Sequence, residues 1–158
     1  MEDGQFDARP PTQTGKADIT KRFIAVVIDG VIASVLSWAI PFIGGLLGGL
    51  YILLRDGLDV EYLRGRSLGK TLMKLRIVRD NGQPMDLNTS IQRNWPLSVG
   101  LIITILLVIP VLGWLIVPLA SLVGLVLGVM EIYFVMTDPE GRRFGDRRAG
   151  TRVVESAD

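Results

Sequence analysis

Two long segments of the chain are almost entirely apolar. Residues 23–54 contain one charged side chain, Asp29, and residues 94–137 also contain one, Glu131. A transmembrane helix needs about 20 mostly apolar residues to cross the hydrocarbon core of a bilayer. Because a soluble domain spreads its charges along the sequence, this segregation predicts a helical membrane protein and argues against a soluble enzyme.

Each apolar segment contains a break that favours a helical hairpin. Pro110 interrupts the second segment, which is long enough for two spans over residues 95–137. Pro41 and the glycines after it interrupt the first segment, which predicts a tighter hairpin over residues 22–56. The second helix of that hairpin, residues 42–56, is the shortest of the four, and the sequence leaves open whether it crosses fully.

The polar segments predict a small β element beside these helices. Lys74–Arg79 alternates charged and apolar side chains and is followed by Asn81-Gly82, a pattern typical of a strand and a turn. Thr151–Glu155 predicts a second strand, and Asp86–Asn94 predicts a short helix at the membrane interface. The predicted fold class is therefore an all-α membrane protein of four transmembrane helices in two hairpins, with a small cytoplasmic β element.

The positions of the basic residues predict the topology. All seventeen lie at the N-terminal end, in the middle segment of residues 57–94 with the adjoining Arg55, or in the C-terminal tail of residues 138–158. Cytoplasmic loops carry an excess of Lys and Arg, so two complete hairpins place both termini and the middle segment in the cytoplasm. Residues 1–20 are polar and predict a disordered cytoplasmic tail before a membrane domain of residues 21–156.

The composition excludes several kinds of chemistry. The chain has no Cys and no His, which removes thiol catalysis, disulfides, His-dependent triads and the usual zinc sites. Gly65–Thr71 resembles a phosphate-binding loop but has one residue too few between its glycines. We therefore expect no enzyme activity, cofactor, metal or nucleic-acid partner. The basic segments are expected to attract anionic lipid headgroups.

The two acids within the apolar segments are candidate site residues. Asp29 shares a helical face with Ala25, Ala33 and Ser37, and a stripe of small residues is typical of helix contacts in membranes. At the rise of an α-helix, it would lie about 10 Å inside the membrane. Glu131 would lie at a similar depth from the same side and is a secondary candidate.

Two interpretations of these acids remain open. Either acid could be a proton or cation site on a transport path. Alternatively, Asp29 pairs with a basic residue to fix helix packing, and Glu131 reaches to the interface.

A weak internal repeat follows the two hairpins. Gly69-Lys70 precedes Ile77-Val78 by the same interval as Gly145-Asp146 precedes Val153-Val154. The repeat could record an ancient duplication, or both segments could simply be exits from a membrane into a strand.

Three blocks of sequence resemble the RDD family of bacterial membrane proteins. The first is Lys21–Asp29, the second is Gly65–Lys70 followed by Leu75–Val78, and the third is Asp146–Val154. Carried onto this chain, the family's Arg-Asp-Asp motif corresponds to Arg22, Asp29 and Asp146. Many members have His before the last Asp, where this chain has Gly145.

The resemblance implies a protein of the bacterial inner membrane in which the motif is an ion or proton site. Arg22 and Asp146 would both lie at the cytoplasmic boundary, where Asp146 could pair with Arg22 or with the Arg142–Arg143 cluster, and Arg22 could also reach Asp29. Transport of protons or monovalent cations is the first functional hypothesis, and it requires a homo-oligomer because four short helices enclose little space. The alternative is a non-enzymatic accessory or assembly subunit of a larger membrane complex.

Overall fold

The computed structural model describes residues 16–40, 43–58, 60, 62–63, 65–109 and 111–156. The first hairpin comprises α1 (Ile19–Ala39) and α2 (Gly44–Leu54), and the second comprises α5 (Val99–Leu107) and α6 (Leu112–Thr137). Between the hairpins lie α3 (Leu68–Leu72), β1 (Leu75–Arg79), α4 (Leu87–Asn94) and a 3-10 turn (Trp95–Ser98). The chain ends with α7 (Phe144–Arg148) and β2 (Thr151–Glu155). The mostly helical fold with a small β element is as predicted.

Glycines set the close packing of the first hairpin. A Cβ at Gly44 would overlap the carbonyl group of Ser37, and a Cβ at Gly48 would overlap that of Ala33. Helices approach closely where small residues remove the side chains between them. On its other side, α2 packs on α5, where Gly49 faces Leu101. The run of glycines in the sequence is therefore the contact surface of α2.

Two of the described helices, α1 and α6, are long and apolar enough to cross a membrane. The surfaces of both carry exposed apolar side chains. Trp38 at the end of α1 and Trp114 at the start of α6 are 93% and 75% exposed, and tryptophan is enriched where a membrane meets water. With 11 and 9 residues, α2 and α5 are shorter, at about 16 and 14 Å for the α-helical rise.

The strands form a two-stranded antiparallel sheet in which Ile77 lies opposite Val153. The inward-facing strand residues pack with Ala17 and Ala25 to form a small apolar core. The turn at Asn81-Gly82 forms, with Gly82 at a φ of +71°, but β1 pairs with the C-terminal strand and not with the chain after the turn. Residues 1–15 of the predicted disordered tail lie outside the described residues.

The two segments of the internal repeat fold alike. Each consists of a five-residue helix, α3 or α7, followed by a five-residue strand. Ile77 and Val153 are both the middle residue of their strand and lie opposite one another, so the two antiparallel strands are related by an approximate local two-fold axis. The helices differ in their neighbours, because α3 packs on α1 and α7 packs on α4 and α6.

Candidate functional site: a buried charged cluster

Nine charged side chains form a buried cluster between the hairpins and the sheet, and each is at most 8% exposed. We call this set the charged cluster. Ionised carboxylates and guanidinium groups are stable in such surroundings only when they are paired and hydrogen-bonded. Its members are Arg22, Asp29, Arg55, Asp56, Lys70, Arg93, Glu131, Arg143 and Asp146.

Asp29 is surrounded by four donors. The Arg55 guanidinium lies 3.0 Å from its Oδ2, which also accepts a hydrogen bond of 2.6 Å from the Ser67 hydroxyl. Its Oδ1 accepts hydrogen bonds of 2.9 Å from the Tyr51 hydroxyl and from the backbone N–H of Gly69. Asp29 therefore joins α1 to α2 and α3 through a carboxylate whose two oxygens are both occupied by donors.

Glycine is required at position 69 for this contact. A Cβ there would overlap the carbonyl oxygen of Ala25, one turn before Asp29 on α1. The absence of that Cβ lets the first turn of α3 lie against α1, with its N–H on the carboxylate. The Gly-Lys pair of the repeat is thus explained by close backbone approach and not by a phosphate.

Asp56 links the Asp29 region to the rest of the cluster. Its Oδ1 lies 2.7 Å from the Lys70 ammonium, which also donates to Ser67, and its Oδ2 accepts from the Asn94 amide. Burial alone would raise the pKa of Asp56, but Lys70, Arg93 and Arg55 hold it well below its usual range. Burial lowers the pKa of Lys70 to about 8, against the opposing effect of Asp56.

Asp146 lies among three arginines. Arg93 Nη2 lies 2.7 Å from its Oδ1, and Arg22 and Arg143 each lie 3.4 Å from one of its oxygens. Burial would raise the pKa of Asp146, but Arg93, Arg143 and Arg22 lower it to about 2. The Arg93 nitrogens contact Asp146 as an ion pair without hydrogen-bond alignment. Asp146 is therefore ionised and is the central anion of this half of the cluster.

Glu131 on α6 is held differently. Its Oε1 accepts a hydrogen bond of 3.1 Å from the backbone N–H of Gly145, and a Cβ at Gly145 would overlap the Arg93 carbonyl oxygen. Its Oε2 is buried without a hydrogen-bond donor, and the nearest cation is Arg143 Nε at 3.7 Å. Glu131 is thus bound at one oxygen only.

The motif residues predicted from the sequence divide between two regions of the cluster. Arg22 and Asp146 form an ion pair, and Arg22 also donates to the Gly141 carbonyl oxygen. Asp29 pairs with Arg55 and not with Arg22. The two regions connect through hydrogen bonds. These run from Asp29 through Ser67 and Lys70 to Asp56, and from Asp56 through Asn94 to Arg143, which contacts Asp146.

Sequence reasoning missed Arg55, Asp56, Lys70 and Arg93 as members of the site. The only available signal was position, because Arg55 and Asp56 directly follow an apolar segment and Arg93 directly precedes the other. Charges at such boundaries are ordinarily exposed to water or headgroups. Their partners lie far away along the chain, so the sequence alone could not show the pairing.

The charges of the cluster are paired with one another, and few carboxylate oxygens are left to coordinate an ion. Within the part of the chain that the structure describes, no group of three or more His, Cys, Asp or Glu side chains is placed to hold a metal ion. The donors around Asp29 occupy both of its oxygens. The cluster can therefore fix helices in place, while Glu131 Oε2 is an acceptor still lacking a donor.

Comparison with known proteins assigns the family. The sequence model of the RDD family matches residues 45–150, about two thirds of the chain, and this range includes Asp146 but begins after Arg22 and Asp29. Neither a curated protein nor a solved structure matches the chain. The match covers more than half of the sequence and confirms the resemblance. The second predicted block lies inside it, the third overlaps its end, and the first lies before it. The chain belongs to the RDD family of membrane-associated proteins.

Proposed function

We propose that the protein is a non-enzymatic structural subunit of a membrane assembly. In this proposal the Arg-Asp-Asp motif holds the two hairpins on a cytoplasmic layer formed by α3, α4, α7 and the sheet. The saturation of Asp29 by four internal donors carries this proposal. A carboxylate that bound and released an ion would need a free oxygen, and Asp29 offers none. Asp146 is likewise held by ion pairs with three arginines.

Unused small residues on the outer surface support an assembly role. Gly30 on α1 and Gly128 on α6 have no atom within 4 Å of the place where a Cβ would lie. The other packed glycines of the hairpins contact a neighbouring helix of the same chain, as Gly48 does. Glycine in a membrane helix allows another helix to approach, so these two positions are candidate contacts with a second copy or a partner subunit.

The test is the number and identity of the subunits in the protein when it is extracted with its surrounding lipid. We expect native mass spectrometry of nanodiscs to show a homo-oligomer or a stoichiometric partner, and Gly30→Leu and Gly128→Leu to release monomers without lowering the melting temperature. Val31→Leu and Val129→Leu are the matched controls, since they add bulk at exposed neighbouring positions. A wild-type protein that is monomeric and without a partner would refute the proposal.

The same proposal includes a four-helix topology in the bacterial inner membrane with both termini in the cytoplasm. The location of all seventeen basic residues outside the apolar segments supports it. Because the chain has no Cys, single introduced thiols report topology directly. We expect an impermeant thiol reagent to label Ile109→Cys from outside intact cells, and Gln83→Cys only after the cells are opened. Labelling of both variants from one side would contradict the topology.

We propose anionic lipid headgroups as a further partner. Fewer basic side chains are free to bind them than the sequence suggested. Most of the described basic residues pair with acids of the chain, whereas Lys74, Arg76 and Arg148 make no ion pair within the described residues. Arg148 lies over Trp95, a residue type favoured at the interface. Replacing these three with Gln should reduce retention of anionic lipid. Replacing the paired Arg79 with Gln should not.

Transport of protons or monovalent cations is the second candidate function. One observation favours it: Glu131 Oε2 is buried without a donor beside a continuous chain of charged groups. Its test is proton and sodium flux into liposomes containing wild-type protein, Asp29→Asn or Glu131→Gln. Flux that Glu131→Gln abolishes would favour transport over a purely structural subunit, and absence of flux from every protein would remove this candidate.

A further inference from the structure

The two acids of the membrane helices occupy comparable positions in the two halves of the cytoplasmic layer. Asp29 accepts the N–H of Gly69, the second residue of α3, and Glu131 accepts the N–H of Gly145, the second residue of α7. Gly69 and Gly145 occupy the same position relative to the strand that follows each of them. Asp29 and Glu131 thus share one kind of backbone contact, and their other contacts can be compared directly.

The remaining contacts of the two acids differ. Asp29 has Arg55 at 3.0 Å and accepts two hydroxyl hydrogen bonds in addition to the N–H. Glu131 has the N–H of Gly145 and no other hydrogen bond, and Arg143 Nε lies 3.7 Å from its Oε2. Ser67 caps α3 and donates to Asp29, while the matching position before α7 is Arg143.

Arg143 forms a long ion pair with Glu131 at 3.7 Å, but its hydrogen bonds go to other acceptors. Its backbone N–H and its Nε both donate to Asp146 Oδ2, at 3.2 and 3.5 Å. Its Nη2 donates to the Asn94 amide oxygen at 3.3 Å and to Asp146 at 3.4 Å. Asp146 therefore draws Arg143 away from Glu131 and adds a negative charge near it.

The other groups around Glu131 leave Oε2 without a donor. The charged groups that face it are Arg143 and Asp146 from the α7 segment and Arg93 from α4, which lies on Asp146. The two other elements packed against α6 are α5 and the 3-10 turn, and neither contains a titratable side chain. An ionised carboxylate oxygen that is buried without a donor is costly, and such a group commonly becomes neutral instead.

We propose that Glu131 is a proton-binding site, in which Oε2 takes up the proton. The ligand is H⁺ alone: the carboxylate becomes a carboxylic acid, and the new O–H supplies the donor that Oε2 lacks. This inference rests on the contacts of Glu131 and holds whether the protein is a structural subunit or a transporter.

Infrared spectroscopy of the full-length protein in nanodiscs tests the proposal. One sample carries ¹³C-labelled glutamate and a second carries ¹³C-labelled aspartate, and spectra are recorded from about pH 5 to 9. Glutamates in water titrate near about pH 4.3 and are ionised at neutral pH. We therefore expect a labelled carboxylic-acid C=O band, equivalent to one group, in the glutamate sample while the pH is still above the range in which glutamates in water titrate. The aspartate sample shows whether any such band comes from an aspartate.

The variants assign the band. Glu131→Gln should remove the carboxylic-acid band, and Glu140→Gln, which changes an exposed glutamate in the loop after α6, should leave it. A wild-type glutamate spectrum that shows only carboxylate from neutral pH to about pH 5 would overturn the proposal, and this result does not depend on whether a variant folds. Persistence of the band in folded Glu131→Gln would overturn it equally.

Discussion

Replacing Asp29 with Asn should strongly destabilise the protein. The change keeps the shape of the side chain and removes its charge, so the Arg55 guanidinium, 2% exposed and 3.0 Å from Oδ2, loses its only ion-pair partner in the described structure. Removing one partner of a buried ion pair costs about 3–5 kcal/mol, because the other charge remains buried without compensation. The Asn amide can also present a second donor to Arg55, which adds to the loss.

The assay is the free energy of unfolding in mixed micelles, compared with an exposed acid changed in the same way. Asp80 pairs with Arg142 at 3.1 Å, and its side chain is 40% exposed. A surface pair of this kind contributes about 0–1 kcal/mol, so Asp80→Asn should be nearly neutral. The difference between the two variants isolates the effect of burial.

A double variant separates charge pairing from packing. If Arg55→Gln is added to Asp29→Asn, the uncompensated charge is gone, and the double variant should be more stable than the sum of the two single changes predicts. An Asp29→Asn protein within about 1 kcal/mol of the wild type, or strict additivity in the double variant, would refute the reasoning. Either result would show that water reaches the pair.

Two further predictions concern the second half of the cluster. Gly145→Ala should unfold the layer of α3, α4, α7 and the sheet or lower its melting temperature sharply, because the new Cβ would overlap the Arg93 carbonyl oxygen. Gly128→Ala has free space and should be neutral. Thermal melts of both variants check this prediction. The pKa of Asp146 is about 2 in the folded protein, below its ordinary value of 3.8, so the folded state binds fewer protons and its stability falls as the pH drops from about 4 to 2. The loss is about 2 kcal/mol, and Asp146→Asn should show a correspondingly weaker acid dependence of unfolding; an unchanged dependence would exclude Asp146 as its source.

Local patterns predicted most of the secondary structure because each depends on neighbouring residues. The alternation from Lys74 to Arg79 produced β1, and Asp86 caps the short helix α4 through the backbone N–H of Thr89. Pro41 and Pro110 mark the two hairpin turns, although the prolines themselves lie outside the described residues. The pairing of β1 with β2 joins segments far apart in the chain, and no local pattern specifies such a contact.

The role of the basic residues could not be read from their positions. Counting them placed all seventeen on one side and suggested a surface that attracts headgroups. In the structure Arg55, Lys70 and Arg93 are among the most buried side chains and neutralise acids. A one-dimensional count predicts the side of the membrane but cannot distinguish a solvated charge from one that is paired inside the protein.

The depth of Asp29 was predicted from α1 alone, and the prediction did not include the surroundings that the rest of the fold gives this residue. The helical rise places the residue about 10 Å beyond Arg22. However, α3 packs on this part of α1, so that Ser67 and the Gly69 N–H reach the carboxylate. The other side of the same turns exposes Phe23, Val26 and Val27. The polar contacts thus extend along one face of α1 as far as Asp29, whose carboxylate lies against α3 and not on the exposed apolar face.

The internal repeat is better explained by two similar membrane exits than by duplication of a hairpin with its strand. In a tandem duplication, the counterpart of α1 would be α5, yet the acid of the second half lies on α6, and α5 has no charged residue. The two halves share one structural feature. In each, a glycine lets a short helix approach a neighbouring backbone and donate its N–H to an acid of a long apolar helix. Differences between the halves are therefore more informative than the likeness. The largest is Arg143 in the position of Ser67, because it turns a saturated carboxylate into one with a free oxygen.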